Sequence, residues 1–216
     1  MNLVTNNKKI KAVIFDMDGV LIDAKDWHYD ALNQALEIFG AKIELTEHLS
    51  TFDGLPTKRK LELLSGSGRI PFKLHDLISE LKQKYTEQLT NVNCKPKFLH
   101  QYALSKLKEE GYLLAVASNS VMSTIKNMMR LSLLENYFNF FLSNEDVIKP
   151  KPDPEIYLKA INKLGLKSEE VVIVEDNNNG IQAAKASGGN VLEVKNTEEV
   201  NYKNIIEFIN NCNKKC

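Results

Sequence analysis

The 216-residue chain has little cysteine, a single tryptophan and no excess of charge. Its three cysteines, Cys94, Cys212 and Cys216, form no CxxC pair and share no zinc-site spacing with a histidine. That excludes a disulfide framework and a structural zinc, and leaves reduced thiols of the kind a cytoplasmic protein carries. Basic and acidic residues balance at 28 each. Binding to nucleic acid shows as a basic excess or stripe, so no nucleic-acid partner is expected. No stretch approaches the roughly 20 apolar residues of a membrane span. The segment Met1–Lys11 is polar and has none of the apolar run of a secretory leader. Repeats and low-complexity tracts are also missing. These absences predict a cytoplasmic protein, a monomer or weak dimer, with no membrane partner. Neutrality sets one condition: an anionic substrate would need positive charge placed locally, because the chain as a whole supplies no attractive field.

With 43% hydrophobic and 26% charged residues, the composition is that of a globular domain, and the length suits one core with a modest insertion. Continuous apolar runs, rich in β-branched residues, read as buried strands at 12–15, 112–117, 138–142, 171–174 and 191–194. Helical spacing fills the intervals at 98–110, 121–130, 154–164 and 181–186, with Gly111 and Gly165 as stop signals. Strands alternating with helices predict an α/β protein with a doubly wound, Rossmann-like parallel sheet. The stretch between about 24 and 93 carries helical patterns only, at 27–39, 58–64 and 74–89. We therefore expect a core of residues 1–23 and 94–216, with a small helical cap of residues 24–93 inserted after the first strand.

Ligands of open parallel sheets bind beyond the carboxyl ends of the strands. Asp16-Met17-Asp18-Gly19 follows the first strand, Ser118-Asn119 the second, and Glu175-Asp176 the fourth, while Lys149-Pro150-Lys151-Pro152 lies beyond the third. One aspartate at a strand end is commonly a helix or turn cap. Carboxylates, a hydroxyl, an amide and a lysine at four strand ends form a site. Asp16, Asp176 and Glu175 are hard oxygen ligands that suit Mg²⁺, and no histidine or cysteine accompanies them. Asp16 and Asp18 alternate, so both carboxylates can face one substrate, one as nucleophile and one as acid and base. Lys151 and Ser118 would hold phosphoryl oxygens.

The run Asp16-Met17-Asp18-Gly19-Val20-Leu21 resembles the first motif of the haloacid dehalogenase superfamily of phosphotransferases. Ser118 resembles its second motif, Lys151-Pro152-Asp153-Pro154-Glu155-Ile156-Tyr157 its third, and Glu175-Asp176-Asn177-Asn178-Asn179-Gly180-Ile181 its fourth. The helical insert resembles the caps of β-phosphoglucomutase and small sugar-phosphate phosphatases. The resemblance implies that Asp16 becomes an aspartyl phosphate and that Asp18 is the general acid and base. Asp18 would also offer its backbone carbonyl to Mg²⁺, alongside Asp16, Asp176 and Glu175. Ser118, Asn119 and Lys151 would hold the phosphoryl group. The second aspartate separates the chain from the dehalogenases, which lack it and need no metal.

Within the insert, His28 stands beside the hinge, where relatives carry a histidine. The loop 52–59 resembles a specificity loop, and Thr57 falls where β-phosphoglucomutases carry an arginine, which weighs against mutase activity. Thr57, Lys58 and Lys84 are the cap's expected substrate contacts. The resulting expectation is a Mg²⁺-dependent phosphatase of a small phosphorylated metabolite, a sugar or polyol phosphate. The alternatives are a β-phosphoglucomutase-like phosphomutase and a non-catalytic binder of a phosphorylated ligand.

Overall fold

The structure is a computed structural model that describes residues 9–214; Cys216 lies outside them. Five parallel strands form one sheet: β1 (Ala12–Phe15), β2 (Leu113–Ala117), β3 (Phe140–Leu142), β4 (Val171–Glu175) and β5 (Asn190–Glu193), in the order β3-β2-β1-β4-β5. The order reverses at β1, whose Phe15 lies in register with Val116 of β2 and Val174 of β4. The switch point therefore opens just past Phe15, at Asp16.

The central strands β1, β2 and β4 are apolar up to the terminal Glu175 because both faces are covered. Val13, Phe15, Leu114, Val116, Val172 and Val174 point to one side. There they meet the helices α5 (Phe98–Glu109), α6 (Met122–Leu131) and α9 (Tyr202–Lys214) through Leu107, Ile125, Met128 and Ile205. The alternate residues, Ala12, Ile14, Ala115 and Ile173, pack on α7 (Glu155–Leu164) and α8 (Asn178–Ala186) through Ile156, Ala160 and Ala183.

Between β1 and α5 lie only helical elements: α1 (Lys25–Glu37), a short turn α2 (Leu45–Glu47), α3 (Thr57–Gly66) and α4 (His75–Asn93), joined by single-turn helical pieces. They close a separate core of Leu32, Leu36, Ile43, Phe52, Leu61, Leu64 and Ile78.

Element boundaries move by up to four residues from the sequence expectation. β3 begins at Phe140 rather than 138, because the carbonyl and amide of Leu114 are bonded by Asn139 through its backbone and side chain. Helix α8 starts at Asn178, where the Asn177 side chain accepts from the Asn179 amide. Helix α9 was not expected. It buries Ile205, Ile209 and Cys212, a spacing that repeats once each turn.

Candidate active site

The central dyad is set by strand geometry. Asp16 leaves β1 at the switch point, and its amide donates to the Val174 carbonyl at 3.0 Å. The chain then turns back on itself, with the Gly19 amide on the Ile22 carbonyl at 2.7 Å. Gly19 has φ +90°, and a Cβ there would lie 2.1 Å from Asp176 Oδ2. Only glycine lets the turn pass that close to the carboxylate.

Lys151 is buried at the centre of the acidic group. Its ammonium donates to Asp16 Oδ1 at 2.7 Å, Glu175 Oε1 at 2.7 Å and the Ala117 carbonyl at 2.9 Å. All three ammonium donors are thus used. Burial opposes the Lys151 charge, but Asp16 and Glu175 outweigh it and hold its pKa above the ordinary lysine value. For Asp16, burial first and then the Glu175 charge push the pKa up, against the pull of Lys151. Among the described residues no hydrogen bond engages Asp16 Oδ2, so this oxygen is free toward the cleft that Asp16 lines.

Both oxygens of Glu175 are occupied. The Tyr157 hydroxyl donates to Oε1 at 2.5 Å, while the amides of Asp176 and Asn177 donate to Oε2 at 3.1 and 3.4 Å. Glu175 therefore positions Lys151 and the start of the loop after β4. Tyr157 was legible as an aromatic of the third motif, but its partner was not. Lys149 lines a separate surface groove rather than the site.

Asp18 faces the hinge. His28 Nε2 lies 3.0 Å from its Oδ1, and the Ser120 hydroxyl donates to its Oδ2 at 2.8 Å. Lys82 Nζ is 3.2 Å from His28 Nδ1. An ammonium can only donate, so Nδ1 accepts and the imidazole proton sits on Nε2, aimed at Asp18. Burial lowers the pKa of His28, in agreement with this neutral form. Burial tends to raise Asp18, yet His28 and Ser120 outweigh it and hold its carboxyl below the ordinary value. Ser120 and Lys82 carried no motif signal. Lys82 was nevertheless visible as a spacing, since Ile78, Lys82, Thr86 and Thr90 fall four residues apart on one face of α4.

Ser118 is buried, its Oγ accepting from the Ser120 amide at 3.0 Å. The Asn119 side chain ties the core to the cap, accepting from the Lys151 amide at 3.2 Å and donating to the Gly54 carbonyl at 3.0 Å. Asp53 meets the α8 cap residues in the same way: Asn177 Nδ2 donates to its Oδ2 at 2.8 Å, and Asn179 Nδ2 to its carbonyl at 3.2 Å. A Cβ on Gly54 would lie 2.4 Å from Asn177 Oδ1. The loop seats directly on the core.

Together these groups line a cleft of about 500 Å³ between core and insert, including Asp16, Asp18, His28, Ser118, Asn119 and Lys151. Thr57 and Lys58 line it too, with Lys58 exposed. Lys84 does not: it is exposed on the outer side of α4, and the lysine that faces the cleft is Lys82. Two residues along a helix turn a side chain by about 200°, so one of the pair had to face away.

Asp16, Glu175 and Asp176 each offer a carboxylate oxygen within 4.8 Å of the others. The Asp176 side chain is 1% exposed; Lys25 Nζ lies 2.5 Å from its Oδ2, and its Oδ1 is buried with no hydrogen-bond partner. Burial raises the Asp176 pKa to about 6 despite Lys25. An all-carboxylate set with an orphaned buried oxygen fits a hard divalent cation.

Two aspartates and a buried lysine at a parallel-sheet switch point form an arrangement suited to phosphoryl chemistry. A family model described as haloacid dehalogenase-like hydrolase matches residues 13–194, and the chain belongs to that family. It is 31% identical over 182 residues to a phosphorylated carbohydrates phosphatase of Thermotoga maritima, covering 83% of this chain and 82% of that protein. It is 27% identical to a phosphoglycolate phosphatase of Aquifex aeolicus, over 83% of this chain and 82% of the other. Its fold is that of the crystal structure of β-phosphoglucomutase from Clostridium difficile, with a TM-score of 0.81 and 22% identity over 94% of this chain and 98% of that one.

Proposed function

We propose that the chain is a Mg²⁺-dependent phosphatase of a small phosphorylated metabolite, a sugar or polyol phosphate, working through an aspartyl phosphate on Asp16. The observation that carries this reading is the free Oδ2 of Asp16 facing the cleft, while Lys151 holds Oδ1. A carboxylate fixed by one oxygen and open at the other is oriented for attack on phosphorus. The similarity to a phosphatase of phosphorylated carbohydrates supports the substrate class. We assign the cap to residues 24–93 and the cytoplasm as the place of action, on a sequence with three cysteines and no CxxC pair.

Asp16, Asp176 and the backbone carbonyl of Asp18 would hold Mg²⁺, with Glu175 fixing the loop that carries Asp176. When bound, the ion offsets the negative charge of the acidic group and of the phosphate. Asp16 Oδ2 attacks phosphorus while Lys151 and the Ser118–Asn119 turn hold the phosphoryl oxygens. The P–O bond to the alcohol breaks, and Asp18, protonated as the negative charge of the bound phosphate raises its pKa, gives that proton to the departing oxygen. Asp18 then removes a proton from the water that cleaves the aspartyl phosphate. His28 and Ser120 hold the Asp18 carboxyl at the hinge.

The same first half-reaction would serve a phosphomutase. Release of inorganic phosphate, rather than formation of an isomeric sugar phosphate, separates hydrolysis from that reading. Phosphate release from a panel of sugar and polyol phosphates in Mg²⁺ tests the reading. Asp16→Asn is expected to lower turnover at least about 10³-fold, and retained turnover would overturn the assignment.

A further inference from the structure

The insert brings a second set of charges to the cleft that the hydrolytic chemistry leaves unused. Of the cleft's cations, Lys151 is matched by Asp16 and Glu175, and Lys25 by Asp176. Lys60 of α3 is not matched. It lines the cleft with 7% of its surface exposed, and among the described residues its ammonium makes no hydrogen bond or ion pair. Lys82 of α4 also lines the cleft, and its one partner there, His28, is neutral. The nearest acidic groups act on this pair only at a distance, Asp18 and Asp53 on Lys60 and Asp18 on Lys82. Asp18 is engaged by His28 and Ser120, and Asp53 by Asn177.

An independent observation lies beside them. His48, 3% exposed, also lines the cleft, and its Nδ1 is buried without a hydrogen-bond partner. A buried ammonium and a buried imidazole nitrogen left open on one wall are costly in an empty cleft. They become favourable when an oxyanion enters and is desolvated between them.

We propose that the cap wall formed by Lys60, Lys82 and His48 is a subsite for a second anionic group, so that the substrate carries a carboxylate or a second phosphate besides the phosphoryl group attacked by Asp16. This rests on the phosphatase reading above and narrows it to doubly anionic phosphate esters. The two lysines face the anion, and the neutral His48 stands beside them on the same wall. The acidic core side takes the reacting phosphoryl group, and the basic cap side takes the other end. Discrimination against simple monoesters then comes from the cap.

Binding of non-hydrolysable phosphonates to the full chain in Mg²⁺ tests the subsite without relying on turnover. Ethylphosphonate has one anionic group. Phosphonoacetate adds a carboxylate, and propane-1,3-bisphosphonate adds a second phosphonate. Titration calorimetry is expected to show one of the doubly anionic compounds binding about 10- to 100-fold tighter than ethylphosphonate, and which one it is identifies the second group. Lys60→Met is expected to erase most of that ratio and Lys60→Arg to restore it. Lys60→Met should also raise Tm, because an unmatched buried charge is removed. Equal affinity for all three compounds, or an unchanged ratio in Lys60→Met, would overturn the subsite. Phosphate release from phosphoglycolate and from a panel of sugar and polyol mono- and bisphosphates is measured in parallel: failure on all of them contradicts the phosphatase reading, whatever the phosphonates do.

Discussion

At the scale of single residues, the site is built from unequal environments for like groups. Asp16 and Asp18 are two residues apart, yet burial and Glu175 push the Asp16 pKa up while His28 and Ser120 draw Asp18 down. These directions belong to the cleft without a phosphate; the proposed roles need Lys151 and a bound cation to keep Asp16 ionised and the phosphate's charge to raise Asp18. The same reasoning yields a pH dependence. Burial lowers both Lys60 and Lys82 to about 8, with Lys60 lowering Lys82 further and the Asp18 and Asp53 carboxylates opposing. A lysine is charged below its pKa and neutral above it, so the cap's hold on an anion is present below pH 8 and lost as pH rises through it. Neighbouring His48, lowered to about 4 by burial and Lys60, stays neutral across this range. The expected outcome is a KM for doubly anionic esters that rises steeply above pH 8, while the KM for ethyl phosphate changes less. Steady-state kinetics between pH 6.5 and 9.5 checks it. Much of this chemistry was legible in the sequence, because Asp16, Asp18, Ser118, Lys151 and Asp176 follow strands whose ends must meet. Lys60, His48 and Ser120 were not, since their places depend on how the cap seats on the core.

At the scale of elements, the loop before α3 is the coupling between cap and core. Asp53 receives Asn177 and Asn179 from the start of α8, and the Gly54 carbonyl receives Asn119. Those three asparagines belong to the turns that also carry Ser118 and Asp176. The seat of the insert on the core is therefore tied directly to the strand-end loops. Asp53→Ala removes the Asn177 bond at the loop, about 1 kcal/mol for a partly exposed pair. It is expected to raise KM several-fold with a smaller change in kcat, and to increase amide exchange in α3 and the loop, read by hydrogen-exchange mass spectrometry. Strands and most helices were readable as apolar runs and spaced stripes. Helix α9 escaped because its stripe of Ile205, Ile209 and Cys212 lies in a polar, asparagine-rich tail, and its burial comes from packing on α5 and the sheet. Lys84 and Lys82 show the limit of a composition argument: both are basic and on the same helix, and only the i, i+4 stripe through Ile78 and Thr86 selects the one that faces inward.

At the scale of the whole molecule, the balance of 28 basic and 28 acidic residues conceals a division across the cleft. Asp16, Asp18, Glu175 and Asp176 stand on the core side, at strand ends, whereas Lys60 and Lys82 stand on the cap. A neutral chain thus meets an anionic substrate with local positive charge on one wall and a cation-demanding acidic group on the other. The order of the motifs along the sequence foretold the acidic side, because a parallel sheet gathers strand ends at one edge. The basic side had no such guide. Every step of the proposed chemistry passes through one covalent species, and it can be observed directly. Wild-type enzyme mixed with a phosphorylated sugar in Mg²⁺, quenched in acid within the first turnover and digested, is expected to yield the peptide containing Asp16 with one phosphoryl group, absent from Asp16→Asn. Release of phosphate with no labelled Asp16 peptide at any quench time, or with the label on another residue, would contradict the account.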